Sequence, residues 1–241
     1  MANSIQCSFA RYEKKYLITP AQQAVILREA LRHMKEDVYG RYTICNIYYD
    51  TENWSLIRTS LNKPVYKEKL RLRSYGTPGP KDRVFVEIKK KVSGVVYKRR
   101  AVMAPGDAVR YLSGDMTVSP GGQIGREIDW FQGFYQTRPR VFIAYDRSAL
   151  AGIEIPDLRI TFDTNLRWRD TNLDLRAGDW GSPLLAPDQI LMEIKIPGAA
   201  PLWLSRVLSR AGVFPTSFSK YGVCYRDFLS DHSEREVRYG A

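Results

Sequence analysis

The side chains best suited to chemistry lie at alternate positions of extended segments. Arg11, Glu13 and Lys15 are spaced by two, as are Lys67, Lys69, Arg71 and Arg73. The same spacing links Glu87, Lys89 and Lys91, then Tyr145 and Arg147, then Arg159, Thr161 and Asp163, and finally Glu193 and Lys195. A strand sends residues two apart to one face. Between these charges stand Leu70, Leu72, Val86, Ile88, Ile160, Phe162, Met192, Ile194 and Ile196, which line the opposite face. An antiparallel sheet with one wet face accounts for any single strand of this kind. Six such strands, each with long cations and most with one carboxylate, point to a different surface. Two unit charges 4 Å apart interact by about 4 kcal/mol at an effective dielectric near 20. A face of clustered Lys and Arg therefore expects water and a polyanion. The chemistry implied is the binding of condensed phosphate, with carboxylates holding a divalent cation.

The elements that must carry these residues are mostly strands, expected at 8–18, 43–50, 66–75, 83–91, 95–103, 139–147, 157–168 and 189–196. Thr19, Pro20 and Gln22 form a capping box that opens a helix. Ala24, Leu27, Leu31, Met34 and Val38 extend that helix to Gly40. Asp107 is expected to cap a short helix ending at Leu112. A further helix is expected over 122–136, another around Leu204–Ala211 ending at Gly212, and a last one from Ser219 to Leu229. No βαβ alternation is present, so the fold class is α+β, an antiparallel sheet able to close into a barrel and decorated by helices. Residues 1–229 are expected to form a single domain and 230–241 a polar tail.

Composition narrows the partner. With 37 Lys+Arg against 26 Asp+Glu the net charge is +11, which fits nucleic acid, an acidic membrane or phosphate-rich small molecules. Cations spread over many strands fit nucleic acid poorly, so no nucleic-acid partner is expected. No apolar run approaches the ~18–20 residues that cross a bilayer, and the N-terminus does not read as a signal peptide. Cys7, Cys45 and Cys224 are isolated, which excludes a disulfide framework and fits a reducing, cytoplasmic setting. No GxxxxGK[ST] loop, GxGxxG turn or HExxH helix occurs. His33 and His232 read as bystanders, so no histidine base is expected.

The segments RYEKKYLITP, KLRLRSYG, VEIKKK, AYDRSAL, RITFDTNL, LMEIKIP and FSKYG follow one another in an order that resembles the VTC domain. This is the polyphosphate polymerase branch of the CYTH, or triphosphate tunnel metalloenzyme, superfamily, and the likeness spans residues 8–229. It implies an eight-stranded antiparallel tunnel barrel that binds triphosphate along its axis. On this resemblance Lys15, Arg71, Arg73, Lys89, Arg147, Arg159 and Lys220 would engage the transferring phosphates. Tyr145, Ser219 and Lys195 would contact phosphate oxygens. Glu193 would hold the metal, Mn²⁺ or Mg²⁺. Glu13 and Glu87 would either share that role or serve as ion-pair partners of neighbouring cations. Lys67, Lys69, Lys91, Lys98, Arg99 and Arg100 are left to the rim or a solvated face.

The wider superfamily carries ExExK on its first strand, whereas here the spacing reads Arg11, Glu13, Lys15. Fewer acids favour polymer handling over two-metal hydrolysis. The resemblance thus implies an ATP-dependent polyphosphate polymerase of the stand-alone bacterial type, with ATP and inorganic polyphosphate as partners. The expected location is cytoplasmic, with a membrane-protein partner as the means by which the chain could sit at the inner face of the membrane. The alternatives are a tunnel-fold triphosphatase acting on inorganic or nucleoside triphosphate, or a non-catalytic polyphosphate-binding module.

Overall fold

The computed structural model describes residues 11–230 apart from residue 94. In chain order the elements are β1 (Arg11–Ile18), α1 (Pro20–Ala30), β2 (Met34–Glu36), β3 (Tyr42–Asp50), α2 (Ser55–Leu61) and β4 (Tyr66–Tyr75). Then come β5 (Val84–Val92), β6 (Val95–Met103), α3 (Pro105–Leu112), α4 (Gly122–Tyr135), β7 (Arg138–Gly152) and β8 (Arg159–Arg169). β9 (Ser182–Pro183), β10 (Ile190–Pro197), α5 (Leu202–Arg210) and α6 (Lys220–Cys224) complete the chain, α6 continuing into a π-helical turn over Tyr225–Leu229. Hydrogen bonding orders the strands β1-β10-β8-β7-β3-β4-β5-β6, with β2 on β7 and β9 on β8. The strand pairs are antiparallel. The eight strands of this path are the eight expected. Residues 8–10, Cys7, His232 and the tail beyond 230 lie outside the described residues.

The chain forms two compact units. The first comprises the described residues up to 42, with 146–165 and 185–218. Its sheet sets Tyr16 beside Met192 and Phe162, and Lys15 beside Glu193 and Thr161. Even-numbered positions face a core of Tyr16, Ile18, Ile160, Phe162, Met192 and Ile194, covered by Ile26 and Ala30 of α1 and Leu204 and Val207 of α5. Odd-numbered positions carry Glu13, Lys15, Arg159, Asp163, Glu193 and Lys195, and Lys14 is an exposed exception to the alternation. Gly212, at φ +63°, turns the chain after α5 where a side chain would be strained.

The second unit holds 43–145, 166–184 and the described residues from 219. Ile47, Leu70, Leu72, Val86 and Ile88 bury one face of β3, β4 and β5 against Tyr111 and Leu112 of α3 and Ile128 and Phe131 of α4. The opposite face aligns Asn46 with Arg73, Tyr48 with Arg71, and Arg71 with Glu87.

Two helix expectations are corrected, and one helix, α2, was not expected. α1 stops at Ala30, and Met34 belongs to β2, paired with Gly152. The three- and four-residue spacing carried on by coincidence across the turn; Ile26 is sealed in the core, whereas Ala24, Leu31 and Val38 are exposed. Ladder hydrogen bonds to β7 outweigh helix propensity there. Asp107 does not cap α3: Ala104 holds the N-cap position, and Asp107 sits in the first turn, where its charge complements the positive helix end. α2 had no periodicity to announce it. Among the described residues no helix is long and apolar enough to cross a membrane.

Candidate functional site

The first unit gathers Lys15, Glu13, Glu193 and Arg147. Lys15 sits mid-strand, and antiparallel register sets Glu193 directly opposite it. Its Nζ lies 3.3 Å from Glu193 Oε1 and 3.6 Å from Glu13 Oε1, and it donates to the Phe218 carbonyl at 3.0 Å. Glu193 is buried, and its Oε2 lies 3.6 Å from a terminal nitrogen of Arg147. Arg147 in turn donates two hydrogen bonds, of 2.6 and 2.8 Å, to the fully buried carboxylate of Asp163. This fork-to-carboxylate geometry holds a guanidinium in one plane.

Lys195 stands one row away, between Glu13 and Arg159 in register. Arg159 makes an ion pair with Asp37, and nearly half of its side chain is exposed. It is therefore committed to the segment after β2, not to the Lys15–Glu193–Arg147 cluster.

The second unit holds the other sequence-predicted residues. Glu87, 1% exposed, takes Arg71 on Oε2 at 2.6–2.7 Å and Lys98 on Oε1 at 2.7 Å, with Arg73 3.8 Å away. Burial pushes the Glu87 carboxyl up, but Arg71, Arg73 and Lys98 more than reverse this and hold it down at about 2. Arg73 donates to Asn46 Oδ1 at 2.9 Å and to the Tyr145 hydroxyl at 3.3 Å. Lys220 Nζ lies 4.2 Å from the centre of the Tyr145 ring, within cation–π range. Ser219 caps α6, its Oγ accepting the Gly222 N–H and the Lys69 ammonium, each at 3.2 Å. That leaves its hydroxyl proton available to a phosphate oxygen. Lys89 is exposed on the same face, between Lys69 and Lys98 in register.

Three cations thus surround one buried carboxylate. With three cations to one carboxylate, the cluster carries a net positive charge that suits an anion.

Lys98 and Lys69, expected at the rim, both touch this cluster. The register of β5 with β6 sets Lys98 across from Lys89, one row from Glu87. Asn46, Tyr48, Asp163 and Thr161 are further members of these charged faces.

Among the described residues, no three His, Cys, Asp or Glu side chains group as a ready metal cage. The first unit nevertheless fits a hard divalent cation. Glu13 and Glu193 already bracket one cationic atom, and the buried Thr161 hydroxyl, opposite Glu193, has no hydrogen-bond partner. One or two carboxylates completed by phosphate oxygens is a common donor set for such ions.

Comparison with known proteins agrees with this architecture. The VTC domain profile matches residues 10–229. A solved structure sharing the fold is an adenylyl cyclase-like protein from Hippeastrum described as having a dominant triphosphatase activity. It is 14% identical, with a TM-score of 0.54, over 89% of this chain and 94% of that one. Other matches are a Vibrio parahaemolyticus protein assigned as an adenylate cyclase (11% identity, TM-score 0.44, 88% and 96% covered) and the PH1819 protein of Pyrococcus horikoshii (10%, 0.45, 90% and 99%). No curated protein matches the sequence. The fold is the antiparallel tunnel type decorated by helices.

Proposed function

The chain belongs to the VTC domain family, and on that premise we propose that it is a polyphosphate polymerase, transferring the γ-phosphoryl of ATP to a growing polyphosphate chain and releasing ADP. The observation that carries this reading is the Lys15–Glu193–Arg147 cluster, where a buried carboxylate lies between two phosphate-seeking cations beside the unsatisfied Thr161 hydroxyl.

Phosphoryl transfer needs in-line positioning and charge neutralisation more than covalent help. Arg147, oriented by Asp163, would hold phosphate oxygens in a planar fork, and Lys15 would supply a point charge. In the second unit Arg71, Arg73, Lys98 and Lys220 would bind phosphate oxygens, with Tyr145 and Ser219 as hydroxyl donors. A divalent cation, Mn²⁺ or Mg²⁺, held by Glu193 with Glu13 would neutralise charge on the phosphate oxygens. The accepting group is already an anionic phosphate oxygen, so the residues need not remove a proton. A polyanion that repeats its charge every residue suits a protein with a cationic face on each of its units.

The test is incubation of purified protein with ATP and Mn²⁺, followed by separation of the products on a gel. Long polyphosphate with stoichiometric ADP supports the polymerase. Free phosphate without polymer makes the protein a triphosphatase instead, and tight polyphosphate binding without turnover makes it a binding module.

A further inference from the structure

A buried carboxylate outside the phosphate-facing set controls where that set stands. Asp50 closes β3 and is fully buried. Its Oδ1 accepts the N–H groups of Thr51 at 2.8 Å and Leu56 at 3.0 Å, and its Oδ2 accepts that of Ile57 at 3.0 Å. It therefore serves the start of α2, whose N-cap residue, Trp54, offers no side-chain bond. The Thr51 hydroxyl also reaches Oδ1, at 3.3 Å, and one donor comes from far along the chain: the hydroxyl of Tyr221, at 2.7 Å to Oδ2.

Tyr221 is the second residue of α6, directly after Ser219 and Lys220. It is 2% exposed and stacks on Tyr48, with ring centres 4.7 Å apart and planes 18° from parallel. The Tyr48 hydroxyl lies 3.5 Å from Arg71, and Lys69 Nζ stands 5.9 Å from the Tyr221 ring centre while bonding Ser219. α6 also seats closely on α2: a Cβ on Gly222 would fall 3.0 Å from Leu61 Cδ2. The start of α6 is thus tied at one point to a carboxylate that is itself immobilised by three backbone donors.

We infer that Asp50, acting through the Tyr221 hydroxyl, is a positioning residue that holds Ser219 and Lys220 of α6 in register with Lys69 and Arg71 for phosphate binding. The inference rests on the phosphate-binding reading proposed above. Its chemistry is economical, because a phenol held by a buried carboxylate fixes both the depth and the rotation of a short helix. The ring stack alone would allow sliding.

Tyr221→Phe keeps the ring and removes the one bond. Binding of inorganic tripolyphosphate, followed by calorimetry, is the readout, alongside the thermal midpoint. The expected result is affinity about tenfold weaker, the scale of losing one charge-assisted hydrogen bond that orders a site. In a Lys220→Gln background the same change should weaken affinity clearly less than about tenfold, since one of the two groups it positions is gone and Ser219 remains. Equal affinity of wild type and Tyr221→Phe overturns the inference, as does an undiminished tenfold loss in the Lys220→Gln background. If Tyr221→Phe does not fold, Tyr48→Phe in its place leaves the Asp50–Tyr221 bond intact and should keep the Lys220→Gln effect unchanged; an altered Lys220→Gln effect would then count against the inference. Failure of the wild-type protein to bind tripolyphosphate would instead remove the phosphate-binding reading itself.

Discussion

Asp163 and Arg147 form a two-point clamp inside the first unit, with hydrogen bonds of 2.6 and 2.8 Å and the carboxylate fully buried. β8 contributes the acid and β7 the base. The clamp presents Arg147 toward Glu193, 3.6 Å away, and so fixes where a phosphate fork can form. Removing the Asp163 charge withdraws the carboxylate clamped on Arg147 and leaves the more distant Glu193, and breaking such a buried pair costs about 3 kcal/mol. Asp163→Asn should therefore lower the thermal midpoint by roughly 6–12 °C for a chain of this size. It should also weaken tripolyphosphate binding. A midpoint unchanged within 2 °C, roughly the shift from ~1 kcal/mol, would show that the clamp is not structural.

Glu193 is expected to separate turnover from binding. It is the buried acid between Lys15, 3.3 Å away, and Arg147, 3.6 Å away. Glu193→Gln should cut ATP turnover by about 100-fold or more through loss of metal-assisted charge neutralisation. Tripolyphosphate affinity in the absence of metal should hold or rise, because a negative charge has left a cationic cluster. Chelation of divalent metal should likewise arrest the wild-type enzyme, with Mn²⁺ or Mg²⁺ restoring it. Parallel loss of turnover and metal-free affinity in Glu193→Gln would argue for a binding role alone.

The eight strands were legible because alternation survives in any sheet with one buried face, and Leu70, Leu72, Val86 and Ile88 mark that face plainly. Rows such as Arg71–Glu87 follow once a hairpin turn sets the register. The commitment of Arg159 to Asp37 was hidden, since the apolar spacing carried α1 through the segment where Asp37 follows β2. Asp50 was hidden for another reason. At a strand end it reads as an ordinary turn residue, and its partner Tyr221 lies 171 residues away. Periodicity reports faces; it cannot report which distant helix docks on them.

The thiols offer a check on packing that is independent of catalysis. Cys45 and Cys224 are both fully buried. Burial pushes the Cys45 thiol up to about 11, and burial likewise raises that of Cys224. A thiol is reactive as its thiolate, so neither should react with Ellman's reagent at pH 8 in the native protein. In a Cys7→Ser variant, used so that only these two thiols report, labelling should be absent before denaturant and reach two equivalents after it. Rapid native labelling of either would contradict the packing around β3 or α6.

Glu87 predicts the acid limb of the stability curve. Its folded pKa of about 2 lies below the ordinary value of 4.5. A depressed carboxylate contributes stability that is fully present above pH 4.5 and is lost as pH falls toward 2. The difference corresponds to roughly 3 kcal/mol at most. Glu87→Gln should remove that slope between pH 4.5 and 2 while destabilising the protein at pH 7, because Arg71, Arg73 and Lys98 then face one another without a counter-charge. Tripolyphosphate offers them replacement oxygens. Its addition should therefore restore more stability to Glu87→Gln than to wild type, measured as the shift in thermal midpoint at neutral pH. An equal shift in both would mean that the ligand does not reach the Glu87 cations, and phosphate binding would have to be assigned to the Lys15–Arg147 cluster alone.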